Sequence, residues 1–142
     1  MNYKAYRPEP DGYNVWLGER NACCVQAINA ATPLTFLESH NLLRDAGRRN
    51  RCAFRFNEFV YACNGMITKH IKLVSKFNCR SNWPVKRTIA LSRLLAMEEY
   101  KTGNYLIRVT RHLFAYVDGV VIDHYPPSTR KQVTHVWKVE IV

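Results

Sequence analysis

The stretch HLFAYVDGVVID, residues 112–123, decides the fold because it predicts a β-hairpin. Two runs of β-branched and aromatic residues flank the dipeptide Asp118-Gly119. Asp-Gly between such runs is a strong signal for a two-residue turn. A turn of this kind pairs Val117 with Val120, so two antiparallel strands in a fixed register are expected.

The register of this hairpin aligns a histidine with a carboxylate. Phe114 lies opposite Asp123, and strand alternation turns His112 to the same face as Asp123. The two residues are then one diagonal step apart, at about 7–8 Å between their backbones. That is close enough for the carboxylate to hold the imidazole, whereas Asp118 is explained by turn chemistry alone.

Helices are expected to precede the hairpin, and further strands to flank it. Small-residue and amphipathic patterns predict helices over 22–31, 33–46, 56–63 and 86–100. Runs of β-branched and aromatic residues predict strands over 70–75, 104–110, 112–117, 120–125 and 135–142. Residues 1–19 contain two prolines and two glycines and are expected to be irregular. Helices followed by an antiparallel meander predict an α+β fold.

Capping residues set two of the predicted helix boundaries. Asn21 is a good N-cap for the helix over 22–31. Thr32 caps the helix over 33–46, and Pro33 takes its first position. The apolar side of this second helix is formed by Leu34, Leu37, Leu42 and Leu43.

The composition bounds the class of protein. The chain has 142 residues, 47% of them hydrophobic, and is expected to form one domain over 1–142. No apolar run approaches the ~18 residues of a membrane span, and the N-terminus lacks the layout of a secretory signal. The five cysteines form no CxxC pair, which argues against a disulfide framework or a zinc ribbon and favours a reducing cytoplasm.

The formal net charge of +10 raises the question of an acidic partner. Basic residues concentrate in RDAGRRNRCAFR, at Arg44, Arg48, Arg49, Arg51 and Arg55. Such a segment attracts nucleic acid or acidic surfaces non-specifically, but a solvated basic face is the favoured interpretation. No helix-turn-helix, zinc-finger or RNP-like pattern accompanies the charge, so base-specific recognition is not predicted.

Two adjacent cysteines stand at the beginning of the helix over 22–31. With Asn21 as the cap, Cys23 falls at the second helical position, where unpaired amides and the positive end of the dipole favour a thiolate. A nucleophilic cysteine also needs an imidazole that is oriented by a third polar group. His112 and Asp123 supply these two groups.

The same residues admit other interpretations. Taken alone, Cys23 is more often a structural cysteine, and Cys24, one helical step of about 100° away, is expected to be a buried small hydrophobe. A metal site at His112, Asp123 and His124 is not favoured, because strand alternation turns His124 to the opposite face. Candidates to line a cleft, with aromatic core as the alternative, are Trp16, Tyr116 and Tyr125.

The order of these residues resembles that of papain-like cysteine peptidases, in which a helix-borne cysteine precedes a strand-borne histidine and then an acid on the next strand. The spacing in NACCVQAINAAT, residues 21–32, is similar to the bacteriocin-processing branch. The tail GNYLIRVTRHLFAYVDGVVIDHYPP, residues 103–127, resembles small proteins of that branch in phage and bacterial genomes. The resemblance covers roughly residues 14–140.

The resemblance implies a papain-like α+β domain, with N-terminal helices packed on a C-terminal antiparallel β-sheet, that hydrolyses a peptide or isopeptide bond. In this resemblance Cys23 matches the nucleophile, His112 the general base and Asp123 the orienting acid, and no metal or cofactor is implied. The expected partner is a protein or peptide substrate in the cytoplasm, or in the host cytoplasm for a phage protein. The alternative is a non-catalytic basic module of the same fold that binds a protein or nucleic acid.

Two positions depart from the family pattern. Such peptidases place a glutamine shortly before the nucleophile to stabilise the oxyanion, and residues 17–22 contain none. Asn21, Asn14 and Gln26 are the candidates for this role. Arg111 also stands directly before the histidine, where a small residue would keep the cleft open.

Overall fold

One mixed seven-stranded sheet organises the fold. The computed structural model describes residues 1–18, 22–45, 71–79 and 87–141. Within these ranges helices pack on both faces of the sheet, and the α+β class predicted from the sequence is confirmed. None of the helices in these ranges is long and apolar enough to cross a membrane.

The described elements have the following bounds. The strands are β1 Tyr3–Ala5, β2 Ile71–Asn78, β3 Ile89–Ala90, β4 Asn104–Val109, β5 His112–Val117, β6 Val120–Asp123 and β7 Gln132–Ile141. The helices are α1 Pro10–Gly18, α2 Cys23–Ala31, α3 Phe36–Asp45 and α4 Leu91–Leu95, and a 3₁₀ turn follows at Glu98–Tyr100. The helix predicted over 56–63 lies outside the described residues.

The strand order is β1-β6-β5-β4-β7-β2, with β3 paired to β7. The hairpin of β5 and β6 has the predicted register, since Val117 pairs with Val120 and Ala115 with Ile122. The C-terminal strands pair antiparallel, as predicted, and β1, which was not predicted, pairs with β6 in parallel. The beginning of the chain therefore covers the edge of the strand that carries Asp123.

The prediction that residues 1–19 are irregular is also wrong. Pro10 begins α1 at the first helical position, where its missing N–H costs nothing. Gly12 lies buried against α3, and a Cβ on it would come within 2.8 Å of the Phe36 Cβ. The proline and the glycine that suggested a loop are therefore a helix start and a close helix contact.

The sheet separates two apolar clusters. Alternate residues of the central strands face α1–α3 on one side, among them Leu106 and Ala115, and face α4 on the other, among them Ile107 and Phe114. Helix α2 packs against β5 through residues that include Val25 and Ile28, both fully buried. This packing brings the beginning of α2 to the beginning of β5.

Helix α3 begins later than predicted, at Phe36. Thr35 and Glu38 form a capping box: the Glu38 N–H donates to Thr35 Oγ1 at 3.1 Å and the Thr35 N–H to Glu38 Oε1 at 3.3 Å. Thr32 instead donates its hydroxyl to the Ile28 carbonyl at 2.6 Å, at the end of α2. The predicted apolar side is confirmed, with Leu43 buried and the other three leucines half-buried against the same cluster.

Glu9 holds the junction between α2 and α3. Its Oε1 accepts the side-chain amide of Asn29 at 2.9 Å, and its Oε2 accepts the Phe36 N–H at 2.9 Å. Burial acts to raise the pKa of this carboxyl, but hydrogen bonds from Asn29, from the Phe36 N–H and from the backbone of Glu9 itself outweigh it and lower the pKa.

The helix predicted over 86–100 is wrong in most of its length. Ile89–Ala90 pairs with β7 instead, and only Leu91–Leu95 is α-helical. The Leu91 N–H donates to the Lys131 carbonyl at 2.8 Å, so the preceding backbone is held extended by a distant segment. A tertiary hydrogen bond has overridden the local amphipathic pattern.

Candidate active site

Cys23 is the first residue of α2. The N-cap position is taken by Ala22, which makes no side-chain capping bond. The prediction that Asn21 caps this helix and that Cys23 is its second residue is therefore wrong by one position; Asn21 itself lies outside the described residues. The first-turn amides of a helix have no intrahelical partner and carry the positive end of the dipole, which favours an anion on Cys23.

His112 and Asp123 meet across the hairpin, as the register predicts. The Nε2 atom of His112, the first residue of β5, lies 2.6 Å from Oδ2 of Asp123, the last residue of β6. This bond occupies Nε2 and leaves Nδ1 for other partners.

The carboxylate of Asp123 is buried, and the residue is hydrogen-bonded from several sides. The residue is 5% exposed, and its Oδ1 accepts the N–H of His124 at 2.8 Å. Its backbone carbonyl accepts the Tyr3 hydroxyl at 2.9 Å and the Tyr6 N–H at 2.8 Å. Both carboxylate oxygens therefore have partners, and the chain that carries them is fixed to the N-terminal segment.

The Cys23 sulfur lies near groups that favour its charged form. The donor groups of Cys24, of the His112 imidazole and of the Leu113 N–H act to lower the pKa of this thiol, and the charge of His112 adds to the effect. Burial opposes the charged form, but the donors prevail and lower the pKa of Cys23 to about 4. Cys24 itself is buried, as expected.

The pKa of His112 moves in the opposite direction. Burial acts to lower it, but hydrogen bonds to Asp123 and to Cys23, with the charges of both, raise the pKa to about 9. Between these two values the pair is a thiolate next to an imidazolium. A thiolate is the nucleophilic form of cysteine, and an imidazolium is a proton donor. Both groups are therefore in the protonation states that acyl transfer uses.

A cavity of about 490 Å³ lies over the sulfur. Of the aromatic residues predicted to line a cleft, Trp16 and Tyr125 do so. The prediction for Tyr116 is wrong: it is 3% exposed, packs in the second cluster and borders a different cavity beside Asp118. It shares a face with His112, but four residues of strand place it about 13 Å away.

Gln26 lies one helical turn after Cys23 and lines the same cavity. Its Oε1 is buried without a hydrogen-bond partner in the part of the chain that the structure describes. Asn14 does not border this cavity. Of the two described candidates for oxyanion stabilisation, Gln26 is therefore the one that borders the cavity with Cys23, and Asn21 lies outside the described residues.

His124 lies in the same cavity, not on the opposite face. Strand β6 ends at Asp123, so alternation does not extend to His124. Its ring packs at 5.5 Å from Trp16 and 4.3 Å from Tyr125, measured between ring centroids. Among the described residues no group of three or more His, Cys, Asp or Glu side chains is arranged to hold a metal ion.

The basic segment over 44–55 is described only at its beginning. Arg44 lies 3.6 Å from Asp45 in an exposed ion pair at the end of α3. Arg48, Arg49, Arg51 and Arg55 lie outside the described residues. The prediction of an acidic partner therefore stays a prediction.

Sequence reasoning missed the residues that hold the site from β1. Tyr3 donates its hydroxyl to the carbonyls of Asp123 and His124, at 2.9 and 3.1 Å. Tyr3 and Asp123 are 120 positions apart in the sequence, and no local pattern in the sequence signals such a contact.

No protein-family model, curated protein or solved structure matches the chain significantly.

Proposed function

We propose that this protein is a cysteine peptidase or a related acyl hydrolase, papain-like in architecture and similar to the bacteriocin-processing branch. The observation that carries the proposal is that His112 hydrogen-bonds Asp123 at 2.6 Å and borders, together with Asp123 and Cys23, one cavity. A nucleophile, a base and a group that orients the base are the parts of covalent acyl transfer.

The proposed reaction begins with attack of the Cys23 thiolate on the carbonyl carbon of a peptide or isopeptide bond. His112 then gives its proton to the leaving amine, which departs as the acyl-enzyme forms. Water then attacks the acyl carbon while His112 takes a proton from the water, and the sulfur leaves as thiolate. Throughout, Asp123 holds Nε2, so that Nδ1 is the nitrogen that exchanges the proton.

The tetrahedral intermediate carries a negative oxygen that needs donors. The backbone N–H of Cys23 is at the first position of α2 and has no intrahelical acceptor. The side-chain amide of Gln26 borders the same cavity. We propose these two groups as the oxyanion donors, with the glutamine placed after the nucleophile rather than before it.

Alkylation by iodoacetamide at mildly acidic pH tests this function against a non-catalytic binding module of the same fold. Cys23 should react at a pH where ordinary thiols barely react, and mass spectrometry of the digested protein locates the modified residue. Cys79 is a buried cysteine away from the site and serves as the internal control. Equal, slow labelling of both cysteines would favour the binding module.

Hydrolysis is tested with a proteome-derived peptide mixture. The wild-type protein should generate new termini that the Cys23→Ala variant does not generate. Absence of any difference between the two proteins, with Cys23 nevertheless reactive, would favour acyl transfer to an acceptor other than water.

A further inference from the structure

The proposed site opens onto a second cavity, of about 500 Å³, that adjoins the first. Residues that border both cavities are Arg111, His112, Asp123, His124 and Tyr125. The remaining wall of the second cavity is formed by Thr110, Pro126, Pro127, Ser128 and Lys131. A substrate that reaches Cys23 therefore has a second compartment beside the imidazole.

This second cavity is positively charged. Arg111 and Lys131 line it, and neither side chain has an ion pair or a hydrogen bond among the described residues. The acid on its wall, Asp123, has both carboxylate oxygens occupied, by His112 and by the N–H of His124. Two cations therefore border the cavity without a counter-ion from its own wall.

Arg111 adopts a backbone conformation that its side chain disfavours. It lies in the turn between β4 and β5 with a φ of 61°, in the left-handed region that glycine or asparagine adopts more easily. A positive φ is common in tight hairpin turns, and Arg111 is the second residue of the two-residue turn between the paired Val109 and His112. This turn places the Arg111 side chain on the wall of both cavities.

We propose that the second cavity is a subsite for a carboxylate of the substrate, bound by Arg111 and Lys131 next to the Cys23–His112 pair. A carboxylate is the group that a guanidinium and an ammonium bind by charge-assisted hydrogen bonds. In a peptide it comes either from an Asp or Glu side chain near the scissile bond or from the C-terminus. The inference rests on the proposed function, since a subsite requires that Cys23 reacts.

Iodoacetate and iodoacetamide test the subsite without a known substrate. In both reactions the Cys23 thiolate forms a sulfur–carbon bond, the carbon–iodine bond breaks and iodide leaves. Only iodoacetate carries a carboxylate, so the ratio of its rate constant to that of iodoacetamide reports the attraction for this group. Dividing by the rate constant for the neutral reagent cancels any change in the reactivity of the sulfur itself.

Arg111→Asn and Lys131→Gln should each lower this ratio about fivefold, the size of one charge–charge contact in a wet site. Asparagine tolerates the left-handed turn, and Arg111→Lys, which keeps the charge, should retain most of the ratio. Lys76→Gln is the matched control, because Lys76 is exposed on β2, at the opposite edge of the sheet from β1 and β6. It changes the net charge equally and should leave the ratio unchanged.

The outcomes separate this inference from the function on which it rests. A ratio that falls equally in Lys76→Gln, or that falls in no variant, overturns the subsite while a reactive Cys23 upholds the function. A wild-type Cys23 that reacts with neither reagent overturns both. In the peptide mixture, cleavage beside internal Asp or Glu identifies the side chain as the source, and removal of C-terminal residues identifies the chain end. Cleavage that prefers neither contradicts the subsite.

Discussion

The side chains of His112 and Asp123 lie 2.6 Å apart but face different surroundings, because 29% of the histidine side chain is exposed and only 6% of the aspartate side chain. The imidazole borders the cavity over the sulfur, and the carboxylate behind it is shielded from water. A shielded carboxylate interacts more strongly with an imidazolium than an exposed one does. The pair is therefore arranged to keep the ring protonated and in one orientation.

Asp123→Asn should lower hydrolysis by about 10²-fold or more, because the ring loses its charged partner and its fixed orientation. The pKa of His112 should fall from about 9, as an NMR titration of the ring can measure. The matched control is Asp118→Asn, at the other end of the same hairpin, which should change neither. An unchanged His112 pKa in Asp123→Asn would contradict the assigned role.

The pH dependence of hydrolysis should be bell-shaped. The thiolate forms as the pH rises through about 4, and the imidazolium is lost as the pH rises through about 9. Hydrolysis needs both forms, so its rate should be highest between these values. Alkylation needs only the thiolate, so it should rise at the lower value and not fall at the higher one. An alkylation rate that rises only near the pKa of an ordinary thiol would contradict the ion pair.

Cys23→Ala should abolish activity, whereas Cys24→Ala should retain most of it. The Cys24 side chain is the leading cause of the lowered Cys23 pKa. Its loss should therefore raise the pH at which the alkylation rate of Cys23 increases. Cys79→Ala, which removes another buried thiol, is the control for packing loss. Equal loss of activity from Cys23→Ala and Cys24→Ala, with folding intact, would refute the choice of nucleophile.

Tyr3→Phe should reduce activity several-fold and lower the free energy of unfolding by about 1 kcal/mol, the net value of one hydrogen bond. The hydroxyl fixes the end of β6 that carries Asp123. Tyr105→Phe is the matched control, because its hydroxyl also donates to a backbone carbonyl, that of Glu99 at 3.1 Å. Denaturant unfolding and steady-state rates of both variants decide whether the effect on activity exceeds that on stability.

Glu9→Gln should destabilise the fold at neutral pH by about 1 kcal/mol, because one amide oxygen cannot replace both carboxylate acceptors. The folded-state pKa of Glu9 is lowered from 4.5. Its stabilisation is therefore present above that value and is lost as the pH falls through the folded pKa. Glu99→Gln, at an exposed position, is the control; equal acid sensitivity of wild type and Glu9→Gln would contradict this role.

The hairpin could be predicted because its turn is specified locally. Asp118 and Gly119 both have positive φ, 46° and 81°, which is the conformation that Asp-Gly favours in a two-residue turn. The side chain of Asp118 also accepts the Gly103 N–H at 2.9 Å. Once the turn is fixed, alternation alone places His112 and Asp123 on one face.

Other parts could not be predicted, because distant segments determine them. Ile89–Ala90 has a helical pattern but is held extended by β7, and β1 becomes a strand only through β6. Tyr116 lies on the same face of β5 as His112, but alternation along a strand does not tell which end of the strand meets α2. Cavities depend on this packing, and the sequence contains no local signal for it.

The pairing of β1 with β6 also determines when the site can form. Tyr3 contacts the Asp123 carbonyl across 120 positions of chain, and contacts of such high sequence separation form late because loop closure must come first. A chain emerging from the ribosome contains Cys23 long before it contains His112 and Asp123. The sulfur therefore remains an ordinary thiol until β5 and β6 have been made, and the pair with His112 arises only when these strands join the sheet.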